Sequence, residues 1–147
     1  MLKLIYILIL LLTSFPISAK EEYFLTLRND KVNLRQGPSF EYPIKLFYKK
    51  KFLPVIVFEK SENFRKIKDH ENNTGWIHIS QLSKKKAAIV IAEDLVMFNS
   101  PTIYSKPIVI LKKGKLSKII KCKKDWCKAK IGKYKGWLKK DALWGRL

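Results

Sequence analysis

Two Gly-Trp pairs, each opening a similar eight-residue stretch, constrain the fold of this chain more than any other feature. The first stretch, Gly75 to Leu82, reads GWIHISQL, and the second, Gly136 to Leu143, reads GWLKKDAL. The two tryptophans lie 61 positions apart, and so do the two closing leucines. A constant offset of this size predicts a duplicated unit of about 60 residues.

Other landmarks repeat in the same order. Residues 32–39 read VNLRQGPS and residues 95–102 read LVMFNSPT, while NFRK at 63–66 matches DWCK at 125–128. The offset falls from 63 at the prolines of the first pair to 61 at the tryptophans. Loops tolerate such a loss of two residues. The alternative is chance similarity between two lysine-rich halves, and the ordered landmarks argue against it.

Short runs of β-branched and aromatic residues, separated by turn residues, predict β-strands throughout. No stretch of ten residues shows the 3.6-residue periodicity of an α-helix, and residues 80–82 suit a single 3₁₀ turn. Strands of this length and spacing predict an all-β fold of two small closed barrels. The expected strands are 23–28, 32–35, 44–48, 52–59, 64–68 and 75–79, then 87–92, 95–98, 106–111, 116–122, 126–131 and 134–138.

Residues 1–19 have the pattern of a Sec-type signal peptide. Lys3 precedes an unbroken apolar run from Leu4 to Leu12, and Pro16 and Ala19 then supply a helix breaker and a small residue to cut after. A retained N-terminal anchor is the alternative, but the apolar run is short for a bilayer span. We expect cleavage, export to the periplasm and a mature chain with no transmembrane span.

The formal net charge of +19 is concentrated in the second half of the chain. Residues 20–83 carry 12 basic and 8 acidic side chains, whereas residues 87–147 carry 15 basic and 4 acidic ones. Only four of the 31 basic residues are arginines. Lysine is a flexible point charge that suits attraction to an anionic polymer. The alternative is a lysine-rich genome composition that reflects no binding at all.

The opening motif VNLRQGPS and the closing motifs around the two Gly-Trp pairs resemble the bacterial Src-homology-3-like (SH3b) domain. The ending DWCK, then GWLKKDALWG, is similar to the secreted two-copy form of alphaproteobacteria. The second unit departs from the opening motif, with Phe98 in place of Arg and Ser100 in place of Gly. The resemblance implies an SH3-like domain at 20–83, a basic connection at 84–86 and a second SH3-like domain at 87–147. It also implies an accessory or binding role, although fold does not determine function.

Cys122 and Cys127 flank the four residues KKDW, which we expect to connect two paired strands. Facing positions on such a hairpin lie within disulfide reach, and an exported chain meets an oxidising compartment. A redox or metal pair is the alternative. No C-x-x-C motif is present, and His70 and His78 belong to the other unit. We therefore expect a disulfide, no metal site and no cofactor.

The sequence does not indicate an enzyme, because neither histidine has a nucleophile and an orienting acid at a recognisable spacing. Aromatic side chains near the loops are the candidates for ligand contact, because peptides and glycans bind to aromatic-lined grooves. Arg35 is either a ligand-facing cation or a strand-end residue bound to a carbonyl. The candidate ligand-binding residues are Arg35, Phe40, Tyr42, Trp76 and His78 in the first unit and Tyr104, Trp126 and Trp137 in the second.

The leading hypothesis is a secreted monomer that binds peptidoglycan stem peptides or another anionic envelope polymer. In this hypothesis aromatic grooves contact the peptide and lysines pair with its carboxylates. The alternative is a periplasmic adaptor that holds an envelope protein through the groove or through an exposed strand edge. Nucleic-acid binding fits the charge but conflicts with the export signal, so we do not expect nucleic acid as a partner.

Overall fold

The computed structural model describes residues 20–147, which form two consecutive small β-barrels. The predicted signal peptide, residues 1–19, lies outside the described residues. Among residues 20–147, no helix is long and apolar enough to cross a membrane.

The first barrel is one seven-stranded antiparallel sheet curled around a hydrophobic core. Its spatial order is β3-β2-β6-β5-β4-β1-β7. Alternate residues on each strand point inward, so that Leu34, Val55, Ile67 and Ile77 are completely buried. The strands are β1 (Tyr23–Leu27), β2 (Val32–Arg35), β3 (Ile44–Tyr48), β4 (Pro54–Ser61), β5 (Phe64–Lys68), β6 (Thr74–His78) and β7 (Leu82–Ser83), with a 3₁₀ turn at Ile79–Gln81 before β7.

The second barrel repeats the first strand by strand, in the order β10-β9-β13-β12-β11-β8-β14. Its core contains Val90, Met97, Ala129 and Leu138. The prediction of two tandem all-β barrels is confirmed, and the duplication includes the 3₁₀ turn. The strands are β8 (Ala87–Val90), β9 (Asp94–Phe98), β10 (Pro107–Lys112), β11 (Leu116–Lys123), β12 (Trp126–Ile131), β13 (Tyr134–Lys139) and β14 (Leu143–Arg146), with the turn at Lys140–Ala142.

The glycine of each Gly-Trp pair lets two strands pass at close range. A Cβ atom on Gly75 would lie 2.7 Å from Leu34 Cγ and 2.8 Å from the Arg35 carbonyl oxygen, both on β2. A Cβ on Gly136 would meet β9 in the same way, 2.7 Å from the Phe98 carbonyl oxygen. Only glycine fits at such a crossing, which is the physical reason for the glycine in the repeated Gly-Trp motif.

The structure differs from the sequence-based strands at a few ends. Phe52 was expected to open the fourth strand, but its φ of 65° places it in a left-handed turn, and the strand begins at Pro54. The closing strands β7 and β14 were not predicted. They are short, and they form only because β1 and β8 offer partners: Leu27 pairs with Leu82, and Ala88 with Gly145.

The β11–β12 hairpin pairs Cys122 directly with Cys127, and the two form a disulfide. The predicted bridge is therefore confirmed. The Cys127 side chain is fully buried in the second core, so the bridge joins the hairpin end to that core.

The two barrels contact each other along the strands that flank the connection. The Arg146 guanidinium donates to the carbonyl oxygens of Lys84 and Phe24 at 3.0 and 2.9 Å. The Phe24 and Trp144 rings meet edge to face with centroids 5.0 Å apart. The second barrel's Ile89 belongs to the core cluster of the first. Together these contacts bury apolar surface between the two units.

Candidate functional site

Arg35, at the end of β2, holds the loop formed by residues 36–43. Its Nη1 donates to the carbonyl oxygens of Phe40 and Tyr42 at 3.0 and 2.9 Å. Its guanidinium also lies 5.4 Å from the centre of the Phe40 ring. Of the two predicted roles for Arg35, the structure shows carbonyl binding. The loop contacts give the guanidinium a fixed place beside an exposed aromatic ring.

The Arg35-bound loop presents Phe40 to two rings from the ends of β5 and β6. Phe40, Phe64 and His78 form an aromatic cluster with centroid distances of 5.0 to 5.2 Å. Phe64 is buried at the base, whereas Phe40 is 61 % exposed. The edge-to-face contact with Phe64 and the tilted contact with His78 stabilise the exposed Phe40 ring in one orientation. The cluster is therefore an ordered apolar surface open to solvent.

His78 contributes a polar atom to the rim of this cluster. Its Nδ1 accepts a hydrogen bond from the backbone N–H of Ser80 at 3.2 Å, which caps the 3₁₀ turn. Because Nδ1 acts as an acceptor, the neutral ring carries its proton on Nε2. The ring thus combines an aromatic face with one N–H donor.

A shallow depression lies beside Trp76. It has a volume of about 270 Å³ and is lined by Gln36, Lys45, Lys66, Thr74, Gly75 and Trp76. The Lys45 ammonium donates to the Thr74 carbonyl oxygen at 2.9 Å, and the Lys66 ammonium lies 5.8 Å from the Trp76 ring centre. Two ammonium groups beside an indole can pair with a carboxylate that lies next to apolar surface.

Trp76 and Trp137 face outward from their strands but are covered by lysine side chains. They are only 7 and 8 % exposed. Lys121 and Lys128 both place their ammonium groups 5.9 Å from the Trp137 ring centre. A ligand would therefore reach mainly the edges of these indoles, unless the lysines move.

The second barrel has different residues at the positions that form the aromatic cluster of the first barrel. Phe98 occupies the place of Arg35, since each pairs with the tryptophan of its barrel. Phe98 packs edge to face on Trp126 at 5.7 Å, and the Lys139 ammonium lies 5.0 Å from the Trp126 ring centre. The second barrel thus has a lysine where the first has His78, and no arginine holds its loop.

The two remaining candidates lie on loops. Tyr42 is 48 % exposed, and its ring packs over the backbone of Gly37, where a Cβ would be only 2.4 Å from the ring. Tyr104 lies between β9 and β10 and is 92 % exposed. In the first barrel the structure brings Arg35, Phe40 and His78 together. In the second, Trp126 and Trp137 share one sheet face, with Tyr104 on a separate loop.

Asp69, in the β5–β6 turn, is the one buried carboxylate among residues 20–147, and its hydrogen bonds stay within the fold. It accepts from the Tyr48 hydroxyl at 3.0 Å and from the backbone N–H groups of Glu71 and Asn73 at 2.9 Å. Burial, and then the Asp69 charge, raise the pKa of the Tyr48 hydroxyl well above its ordinary value. The hydrogen bonds of Asp69 therefore stabilise the β5–β6 turn. Within the described part of the chain, no three His, Cys, Asp or Glu side chains are grouped as a metal site.

Sequence reasoning missed Phe64, Lys45 and Lys66 as parts of the surface. Phe64 could have been found, because it matches Trp126 in the duplicated unit, and Trp126 was a candidate. The two lysines could not, because strand pairing brings them to Trp76: Lys66 on β5 is its cross-strand partner, and Lys45 reaches it from β3, two strands away.

Comparison with known families gives two matches. A family model described as "Bacterial SH3 domain" matches residues 28–84 and again residues 92–145. Among curated proteins, no sequence matches the chain significantly.

Several solved structures are similar at low identity. NlpC2 from Trichomonas vaginalis has a TM-score of 0.39 and 12 % identity over 88 % of this chain and 50 % of its own. NlpC1 from the same organism has a TM-score of 0.39 and 12 % identity over 86 and 46 %. An NlpC/P60 family protein from Bacillus cereus has a TM-score of 0.38 and 10 % identity over 83 and 56 %. The chain thus spans about half the length of these proteins.

Proposed function

The chain belongs to the bacterial SH3 domain family, whose members are generally binding modules, and we propose that it is a non-catalytic binding protein of the cell envelope. Its proposed ligand is the stem peptide of peptidoglycan or another anionic envelope polymer. The proposal includes export to the periplasm by the signal peptide at residues 1–19.

The observation that carries this proposal is the exposed aromatic cluster held by Arg35. Phe40 is 61 % exposed, yet Arg35 and two neighbouring rings hold it in place. An ordered, exposed aromatic surface loses little conformational entropy on binding. Such a surface suits the apolar side chains of a short peptide.

The depression beside Trp76 supplies the positive charge for the proposed recognition. Lys45 and Lys66 line it together with Trp76. Lys66 has one acidic partner, Glu59, at 3.7 Å, and both side chains are partly exposed. Stem peptides carry free carboxylates, so a peptide lying across the cluster can place one near these ammonium groups.

The test is co-sedimentation of the mature protein with purified peptidoglycan sacculi over a range of salt concentrations. We expect binding that weakens as salt rises, because exposed charge pairs are screened. Phe40→Ala should reduce retention roughly tenfold, since removing a contacting aromatic at an interface costs about 1–2 kcal/mol. Trp76→Ala is a poorer probe, because Trp76 is buried and its loss would destabilise the barrel.

Tyr23→Ala is the matched control, because Tyr23 is a 44 % exposed aromatic on β1 outside the cluster. Equal losses in Phe40→Ala and Tyr23→Ala would contradict a specific role for the cluster. Absence of retention at low salt would refute sacculus binding altogether.

One observation favours the second candidate, a periplasmic protein adaptor. β3 is an outermost strand of the first sheet, and its Ile44 and Phe47 side chains are 47 and 48 % exposed. An edge strand with apolar side chains can accept an added strand from a partner. Phe47→Lys should abolish capture of a protein partner from a sacculus-free envelope extract and leave sacculus binding intact. Capture that is unchanged in this variant would contradict the edge-strand mode.

A further inference from the structure

The outer face of β11, β12 and β13 carries an unusual concentration of lysines. Cross-strand pairing places Lys118 opposite Lys130, which is itself opposite Lys135. The next row pairs Lys121 with Lys128, beside Trp137. We call this surface the lysine face, and its members are Lys118, Lys121, Lys123, Lys128, Lys130, Lys135 and Lys139, with Trp126 and Trp137 among them.

These side chains share one face, as the ring contacts and the core independently indicate. Along β12, Cys127 and Ala129 are fully buried in the core, which turns Lys128 and Lys130 outward. Lys121 from β11 and Lys128 from β12 both reach the Trp137 ring of β13. The lysines therefore converge from three strands onto the same surface.

The chain does not neutralise this charge itself. The three strands contain no acidic residue. The ion pairs within residues 20–147 involve none of the seven lysines. Asp125 and Asp141 lie in the turns that follow β11 and β13. Like charges directly opposite each other destabilise a sheet, so the fold carries a cost that a bound anion would offset.

The first barrel is an internal comparison, because its equivalent face has a different charge. There Glu59 occupies the place of Lys121 and pairs with Lys66 at 3.7 Å. That face carries two lysines and one glutamate at positions Ile56, Glu59, Ser61, Lys66, Lys68, Thr74 and His78. The same backbone therefore accepts either a nearly balanced face or a face with seven lysines, and the charge is not a requirement of the fold.

We propose that the lysine face of the second barrel binds a linear anionic glycan, a sugar polymer with a carboxylate, sulfate or phosphate on its repeating units. The rows lie roughly 5 Å apart across strands and roughly 7 Å apart along them, which gives a two-dimensional array of ammonium groups. A flexible polymer with regularly repeated charges can contact several rows at once. This surface lies outside the Arg35 cluster and does not depend on it.

Two features favour a glycan over nucleic acid. The face contains no arginine, which is the residue that binds phosphate in bidentate geometry. Trp126 and Trp137 are only 9 and 8 % exposed under their lysines, so they offer no open platform for base stacking. Lysine ammonium groups suit diffusely placed carboxylates and sulfates equally well.

The test measures binding of the mature protein to a polygalacturonate oligomer. Neutral dextran, oligo(dT) and phosphatidylglycerol vesicles are measured separately as comparison ligands at the same ionic strength. Lys121→Glu should fold, because it installs the glutamate that the first barrel already has at that position. It should weaken polygalacturonate binding roughly tenfold, since it replaces an attraction by a repulsion.

Lys50→Glu is the matched control, with the same charge change on an exposed turn of the first barrel. It should alter binding less than about twofold. An equal loss in Lys50→Glu would reduce the effect to net charge and overturn the proposal. Tighter binding to oligo(dT) or to vesicles, or no binding to polygalacturonate, would also overturn it. Phe40→Ala should leave this binding unchanged, which separates it from the sacculus experiment.

Discussion

Replacing Gly75 with alanine is expected to destabilise the first barrel by about 3 kcal/mol, the upper end of the usual cost of overpacking. The new Cβ would lie 2.7 Å from Leu34 Cγ, 2.9 Å from Leu34 Cδ1 and 2.8 Å from the Arg35 carbonyl oxygen. Ordinary contacts of this kind need 3.4 Å or more. Leu34 is completely buried, so its side chain has no space to move into, and the carbonyl belongs to the sheet backbone.

Relief must therefore come from a shift of β2 away from β6. Arg35 and Trp76 are the residues that pair these two strands. The shift would displace the Arg35 guanidinium and loosen the loop that carries Phe40. We expect weaker sacculus binding in addition to lower stability, whereas Phe40→Ala should weaken binding alone.

The assay is urea denaturation followed by circular dichroism, with the melting temperature measured in parallel. A loss of 3 kcal/mol corresponds to a drop of about 12–24 °C in Tm for a unit of about 60 residues. Gly136→Ala repeats the experiment in the second barrel, where the Cβ would meet Met97 Cγ and the Phe98 carbonyl oxygen at 2.7 Å. The two variants should behave alike.

Gly114→Ala is the control without crowding, because nothing lies within 4 Å of its Cβ position. Its φ of 83° should still cost about 1–2 kcal/mol, a purely conformational effect. Gly75 has no such backbone strain, so an uncrowded Gly75→Ala would be neutral or stabilising. A neutral result at both Gly75 and Gly136 would refute the steric argument.

Three further predictions concern stability. Cys122→Ala should lower the stability of the mature protein by about 2 kcal/mol by the chain-entropy estimate for so short a loop; a denaturation midpoint unchanged by the variant would contradict it. Burial and the Asp69 charge raise the pKa of the Tyr48 hydroxyl above its ordinary 10.0, so its stabilising contribution is complete below pH 10 and is lost as the pH rises further. The denaturation midpoint should fall above pH 10 and fall less in Tyr48→Phe; equal pH profiles would refute the assignment. Trp144→Ala removes the edge-to-face contact with Phe24 across the barrel junction and should cost about 1–2 kcal/mol. An unchanged Tm in this variant would mean that the junction adds no stability.

The duplication and the fold class were predicted from the sequence, because both depend on local patterns. The glycine of the Gly-Trp pair is repeated because a tight strand crossing occurs in each barrel, and this requirement places a glycine at the same point in both halves. On β5, Ile67 lies in the barrel core, whereas Phe64 faces outward and is buried in the aromatic cluster with Phe40. The disulfide was predicted for a similar reason, since Cys122 and Cys127 face each other across one hairpin.

The closing strands were missed because they have almost no signal of their own. β7 contains two residues, and it is a strand only because β1 lies beside it. The role of Arg35 was left open for the same reason, since the carbonyls it binds belong to a loop whose path the sequence does not specify. The signal peptide at 1–19 and the ligand contacts of the candidate residues remain predictions.

By itself, the sequence determined that the chain contains two copies of one β-unit with excess lysine in the second. The tertiary structure alone decided which of these lysines act together. Lys118, Lys130 and Lys135 come from three strands and converge on one face because antiparallel pairing brings them into register. A count of charge along the chain cannot distinguish that array from scattered lysines. The physical reason is that strand pairing, and not sequence proximity, determines the distance between charges on a sheet.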